Sequence, residues 1–291
     1  MTVTSALVPL ALSLVLAMVV GSTHRWFPPA LAARALLVTI AVVVVAAAPT
    51  VWLVAAGFVA HLPPVRGALT WWGDPFGHHQ PISAWFGVPA LLAAVIGLHR
   101  ARAVLRTYRS LCTHAGGDVE VVVHDAPFAY TVPGRGGQVV LSSGLLALLD
   151  DAEQSVVIAH ERAHAHHRHD RLMLASELAV SVVPVLLPLS RRVLFALERW
   201  ADESAVRVCG DRAFVARTLG KVALRRMAPA GALAVGGLGV PGRVAALLGP
   251  EPAAPRPSDR VALYGTIAIT AALAAYQLHH LGLLLLEICR H

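Results

Sequence analysis

The stretch AHERAHAHHRHD, residues 159–170, holds five histidines and two acids in a chain that is otherwise strongly apolar. An α-helix turns about 100° per residue, so His160 and His164 lie one turn apart on one face and both imidazoles can reach a single metal ion. Glu161 stands beside the first of them. This is the H-E-x-x-H pattern, in which two histidines bind zinc and the glutamate takes a proton from the attacking water.

A catalytic zinc needs a third protein ligand and an open position. Three residues offer themselves. His167 lies seven residues after His160 on nearly the same face, but a further turn along. Asp170 sits where zincins with a longer consensus put their third ligand. Those proteins break the helix with a glycine where this chain has His167, so the helix is expected to run on and carry Asp170 away. Glu198, in ERWADES, lies 34 residues past His164 on a separate helix that can pair side by side with the first. Asp202, one turn beyond it, is spaced to hydrogen-bond a metal-binding histidine and fix its tautomer.

Local signals put the motif on a helix. Asp150 with Glu153 three residues later forms a capping-box pattern, and Val156, Val157 and His160 follow at helical spacing. Upstream, VEVVV and QVVLSS read as strands around the turn residues PGRGG. Downstream, a helix is expected from about Val193 through Cys209, stopped by Gly210. His166, His167 and His169 are read as a solvated extension alongside Arg162, Arg168 and Arg171. Asp170 is read as a cap or a partner for Arg171.

Of 291 residues, 56% are hydrophobic and 14% charged, against roughly a quarter charged in soluble proteins. Four apolar runs approach the roughly 20 residues a membrane-crossing helix needs: 5–20, 35–60 (with a kink expected at Pro49), 82–98 and 261–286. The first lacks the basic leader of a secretory signal, so an uncleaved span is expected. The run LAVSVVPVLLPL, 178–189, is too short to cross and holds two prolines. Arg25 and Arg34 follow the first span, and Arg100, Arg102, Arg106 and Arg109 follow the third. Arg256 and Arg260 precede the last, so the segment between spans three and four is expected in the cytoplasm and the N-terminus outside. Trp71, Trp72, His78 and His79 in the outer loop are expected to line a membrane interface, and His279 and His280 to face other helices or an interface.

The net charge of +7 is not gathered into a basic face interleaved with aromatics, so direct nucleic-acid binding is not expected. Cys112, Cys209 and Cys289 form no C-x-x-C pair and support neither a disulfide framework nor a cysteine zinc site. The expected architecture is a mainly α integral membrane protein with about four transmembrane helices and a cytoplasmic α+β zincin-like domain inserted before the last. Residues 1–106 would hold three spans, 107–259 the metallopeptidase domain, and 260–291 the fourth span.

VVIAHERAHAHHRHD followed downstream by ERWAD resembles the membrane-embedded gluzincins, a group that includes HtpX, the CaaX prenyl protease and the BlaR/MecR antirepressor peptidases. PFAYTVPGRGGQVVLSSGLLALL is similar to the segment preceding their zinc helix. The resemblance covers roughly residues 105–250, and its layout is nearest to BlaR/MecR. Those receptors carry an extracellular penicillin-binding sensor after the last span, where this sequence has only a few residues, so β-lactam sensing by this polypeptide is not implied. What the resemblance implies is one zinc per chain held by His160, His164 and Glu198, Glu161 as general base and acid, and Asp202 behind the ligands. Arg243 in PGRVAALL sits where related proteases have an arginine near the active site. The implied reaction is peptide hydrolysis, with substrate backbone added along an edge strand at Val139–Ser142. The implied substrate is a cytoplasmic winged-helix repressor in an antibiotic or cell-envelope stress response, with a separate sensor protein as a possible partner. Two alternatives stand beside it: an HtpX-like quality-control protease, and a transmembrane signalling protein whose zinc is structural.

Overall fold

The computed structural model describes residues 3–69, 82–112, 118–134, 137–227, 239–252 and 254–289. Trp71, Trp72, His78 and His79 lie outside them. Helix accounts for 82% of the structure, in keeping with a mainly α protein.

The N-terminal part is built of α1 (Val3–Thr23), α2 (Pro29–Ala60), a short α3 (Pro63–Leu69) and α4 (Ala84–Cys112). Pro29 opens α2, where a fixed φ favours the first turn and no N–H is missed. Ala32, Leu36, Ile40, Val43 and Ala47 recur every three or four residues and form its buried stripe. Pro49 lies within α2, which runs on to Ala60 without a break in helix. α4 is longer than the expected span. It passes unbroken from the apolar run into the arginine-rich segment, and Trp85, Phe86, Leu92, Val95 and Ile96 lie exposed along it. The last helix, α11 (Pro257–Cys289), is tied to α2 by the buried Gln277, whose side-chain amide donates to Thr50 Oγ1 at 3.2 Å. His279 on α11 is exposed.

Among the described residues, three helices are long and apolar enough to cross a membrane: Pro29–Ala60, Ala84–Cys112 and Pro257–Leu283. The first apolar run forms α1, but among the described residues it counts only as a shorter apolar helix, Leu10–Thr23. Three of the four expected spans therefore meet the requirement.

Between α4 and α11 the described residues form a small sheet and six α-helices. The strands are β1 (Val119–Val122), β2 (Ala129–Thr131) and β3 (Val139–Ser142), in the order β1-β3-β2, with β1 parallel and β2 antiparallel to β3. β2 was not expected, because three residues are too few to carry an alternation. Its presence corrects the reading of β3 as an edge. β3 is paired on both sides and all four of its residues are buried, as the continuous apolar run VVLS requires of a central strand. The open edges belong to β1 and β2.

The helices are α5 (Ser143–Leu148), α6 (Asp151–His166), α7 (His169–Val182), α8 (Leu187–Cys209), α9 (Arg212–Met227) and α10 (Val240–Leu248). The proline-containing run 178–189 forms the end of α7, a 3-10 turn at Pro184–Leu186 and the start of α8. Gly210, at φ 76°, ends α8 in the left-handed conformation that glycine adopts freely. Leu189, Val193, Leu197 and Trp200 of α8 share one buried cluster with Ala17, Leu36, Ile40 and Val43 of α1 and α2. The histidine-bearing part thus packs directly onto the apolar helices.

The helix break at His167 overturns one expectation. α6 ends at His166, Arg168 takes a left-handed φ of 55°, and α7 starts afresh at His169. His166, His167 and His169 are weaker helix formers than the leucines and alanines that follow, and Arg168 makes the left-handed turn without a glycine.

Candidate metal centre

The site begins with how α6 is held. Its capping box is complete: the Glu153 N–H donates to Asp150 Oδ1 at 2.8 Å, and the Asp150 N–H donates to Glu153 Oε2 at 3.0 Å. Gly137 has a positive φ of 61° and touches Ala165, so a side chain there would both strain the backbone and collide with α6. That close approach seats the sheet on the helix. It also brings Thr131 of β2 within reach of the motif, its Oγ1 2.8 Å from the Glu161 carbonyl oxygen and 2.9 Å from Glu161 Oε2. One hydroxyl proton can serve only one of these acceptors at a time. Thr131 was not anticipated, because nothing in the sequence announced β2.

α6 and α8 pack side by side and bring three donors together. His160 Nε2 and His164 Nε2 are 3.1 Å apart, and the Glu198 carboxylate lies 3.7 Å from the first and 3.5 Å from the second. One donor atom from each of the three falls within 4.8 Å of the others. The histidine side chains are 15% and 14% exposed and Glu198 36%, so the cluster is sheltered yet open on one side.

Behind these donors the arrangement is closed. Asp202 Oδ1 is 3.1 Å from His160 Nδ1. Arg243 donates to both carboxylate oxygens of Asp202, at 2.6 and 2.8 Å, and pairs with Glu198 Oε2 at 2.6 Å. Arg243 is buried, and Gly239 and Gly242 next to it on the start of α10 leave room for Phe195. His169 is fully buried, and its Nδ1 lies 3.0 Å from Nδ1 of His164.

His169 is therefore no solvated passenger, which corrects the reading of the three later histidines as one group. His166 is exposed and His167 stacks on Trp200 with ring centroids 4.4 Å apart. Only His169 is turned into the site. A period of 3.6 could not find it, because the break at His167–Arg168 resets the phase. Asp170 also departs from expectation: the turn points it at α4, where it accepts a hydrogen bond from Tyr108 Oη at 2.7 Å. It is neither a ligand nor the partner of Arg171.

The charges explain what the cluster would accept. Burial opposes a charge on His160, yet the close Asp202 carboxylate and the nearby Glu198 carboxylate outweigh this and push it up to about 10. Burial works against Glu198 too, but the neighbouring His160 and the Arg243 charge hold its carboxyl well below the usual range. Asp202 is likewise lowered against its burial, through Arg243 and His160. Burial lowers His164, helped by the neighbouring His160, and takes His169 down to about 3. Two carboxylates face one guanidinium, and the uncompensated negative charge holds a proton on His160. A metal cation bound at the same nitrogen would meet the same attraction. Two imidazoles and a carboxylate are a donor set suited to catalytic zinc, and each imidazole's far nitrogen is engaged, as ligating histidines require. The residues present fit the ion.

Residues 99–189 match the profile of Peptidase family M48. A curated relative, named Protease HtpX homolog, from Thermoplasma acidophilum, is 27% identical over 118 residues, 36% of each chain. The chain thus spans about a third of the length of that relative. No solved structure matches. Over those residues the chain is similar to M48 peptidases, and three long apolar helices among the described residues suggest a membrane protein.

Proposed function

We propose that this chain is a membrane-bound zinc metalloendopeptidase that cuts a cytoplasmic protein, with a winged-helix DNA-binding repressor as its substrate. The observation that carries the peptidase reading is the convergence of His160, His164 and Glu198 beside Glu161. In this reading those three residues hold zinc. Once bound, zinc would supply Lewis acidity, polarising the scissile carbonyl and easing deprotonation of the attacking water.

The remaining steps fall to the chain's own groups. Glu161 accepts the proton of the attacking water and returns it to the departing amine. Thr131, within hydrogen-bond reach of Glu161 Oε2, steadies that carboxylate. Asp202 keeps His160 turned toward the ion, and Arg243 ties Glu198 and Asp202 together. The open edge of β2, next to Thr131, offers main-chain groups for an extended substrate strand. A closed structural site would bring four ligands, whereas three donors with one open side suit catalysis.

The repressor reading rests on the resemblance to BlaR/MecR and on arginines placed as the positive-inside rule asks of a cytoplasmic site, with residues 107–259 as the peptidase domain. A second reading, an HtpX-like protease acting on misfolded membrane proteins, is favoured by the likeness to the Thermoplasma acidophilum protein. One experiment separates them: quantitative proteomics of cells carrying the wild type or Glu161→Gln. Accumulation of a single intact DNA-binding protein in the variant supports the repressor reading. Accumulation of many membrane proteins supports the second, and identical proteomes would sink both.

A further inference from the structure

The geometry points to His169 as a positioning residue for the metal site: its Nδ1 accepts the Nδ1–H of His164 and thereby commits His164 to offering Nε2 to the ion. This inference rests on the zinc reading proposed above.

Two ring nitrogens 3.0 Å apart must be one donor and one acceptor. Nε2 of His164 faces His160 and Glu198, so it is the atom on the ligand side. If it is to present a lone pair, the ring's proton must sit on Nδ1, and His169 is the group that receives it. The proton of His169 is then on its own Nε2, which is buried and meets no hydrogen-bond partner among the described residues. A buried imidazole with one nitrogen unmatched is not kept for solubility or for packing alone, since a leucine would fill the space without the cost.

The ring is fixed from several directions. It stands edge-on to His164, with an angle of 85° between the planes, and packs against Trp200 at 4.9 Å. Its backbone follows the left-handed Arg168, and its neighbour Asp170 is anchored to α4 through Tyr108. The two ligands are therefore supported differently. His160 has a carboxylate behind it, which makes it the more basic donor, while His164 has a neutral imidazole that sets direction without adding charge.

The test uses the purified full chain and two nearly isosteric variants. His169→Asn keeps an acceptor oxygen close to the place of Nδ1, and His169→Leu removes it. Zinc affinity is measured by competition with a chelator, with melting of the zinc-free forms as the control for folding. Loss of orienting partners costs about 10–100-fold in metal affinity, and that loss is expected for Leu, with Asn restoring most of it. The cobalt-substituted Leu variant should also show a shifted visible absorption spectrum. Glu198→Ala separates the two levels of the argument. If zinc uptake is lost in Glu198→Ala but unaltered in His169→Leu, the role of His169 is overturned and the metal reading stands. If the wild type takes up no zinc, or Glu198→Ala takes up as much as the wild type, both fall. Should the Leu variant not fold, proton NMR of the cobalt-loaded wild type decides. Two hyperfine-shifted exchangeable imidazole N–H signals support the hydrogen bond to His169, and a single one overturns it.

Discussion

α4 and α6 are both regular helices, but they are held in opposite ways. Along α4 large apolar side chains face outward, half or more exposed among the described residues, and Gly87, Pro89 and Gly97 punctuate it. Along α6 the polar side chains are specifically partnered: Asp150 with Glu153, Glu161 with Thr131, His160 with Asp202, His164 with His169. In α4 a residue's class matters more than its identity, because hydrocarbon accepts any apolar group. In α6 identity is decisive, because a buried polar atom deprived of its partner has no solvent to replace it. Substitutions in the two regions should therefore differ sharply, and they can be ordered by how hard they press on that contrast.

The largest effect on function belongs to Glu161→Gln. It preserves size and leaves the acceptor for Thr131, but it removes the group that takes the proton. Peptide cleavage should fall by about 10²–10⁴-fold, the usual worth of a general base, while zinc content and melting temperature stay at wild-type values. Cleavage assays on reconstituted protein, paired with metal analysis, check this. Retained cleavage would mean that Glu161 is not the base.

Arg243→Met should have the largest effect on stability. Arg243 and Asp202 are 7% and 2% exposed, and removing the guanidinium leaves the buried Asp202 carboxylate without its cation, near the Glu198 carboxylate that Arg243 also pairs. Breaking such a buried pair costs about 3–5 kcal/mol. The loss should be smaller with zinc present, because a cation at Glu198 takes over part of the neutralisation. Chemical or thermal unfolding in detergent, with and without zinc, reads both parts. An equal loss in the two states would separate Arg243 electrostatically from the metal site.

How much of this was legible in the sequence follows the same divide. The apolar runs announced α2, α4 and α11, because length and composition alone decide whether a helix can cross hydrocarbon. The α6 capping box and Gly210 could be read because their chemistry is local. His160, His164 and Glu198 lie together, although the reason for setting Asp170 aside was mistaken. The helix does break after the motif, and Asp170 is turned away by the direction of that break rather than by its absence. Thr131 and His169 were missed for related reasons. The first depends on a three-residue strand and the second on a change of helical phase at Arg168, and both are settled by tertiary contacts that no window of sequence contains.

Tyr108→Phe probes the place where the two regions meet. The Tyr108 hydroxyl joins the end of α4 to Asp170 at the start of α7, next to His169. A hydrogen bond to a charged group contributes about 1.5–3 kcal/mol, and partial exposure of this pair puts the expectation near the lower end, about 1.5 kcal/mol. If α4 helps to hold the histidine turn in place, the variant should also bind zinc a few-fold more weakly, by analogy with the loss of an outer hydrogen-bond partner. Chelator competition measures that, and unaltered affinity would confine the contact to stability.

The smallest effect tests the apolar side of the contrast with one chemical change made twice. Ile96 on α4 is 51% exposed, whereas Ile40 on α2 is 1% exposed within the cluster that also contains Leu189 and Val193 of α8. Removing one methylene from a packed interior costs about 0.5–1.5 kcal/mol, because the surrounding atoms close the gap only in part. Ile40→Val should therefore lower stability by about 1 kcal/mol. In Ile96→Val the methylene leaves an exposed surface, where the chains of a bilayer mimic can fill the space, and the change should be close to zero. Unfolding of both variants in the same bilayer mimic makes the comparison. A cost at Ile96 equal to that at Ile40 would mean that the outward face of α4 is covered by protein in the membrane, so that its side chains, like those of α6, have specific partners.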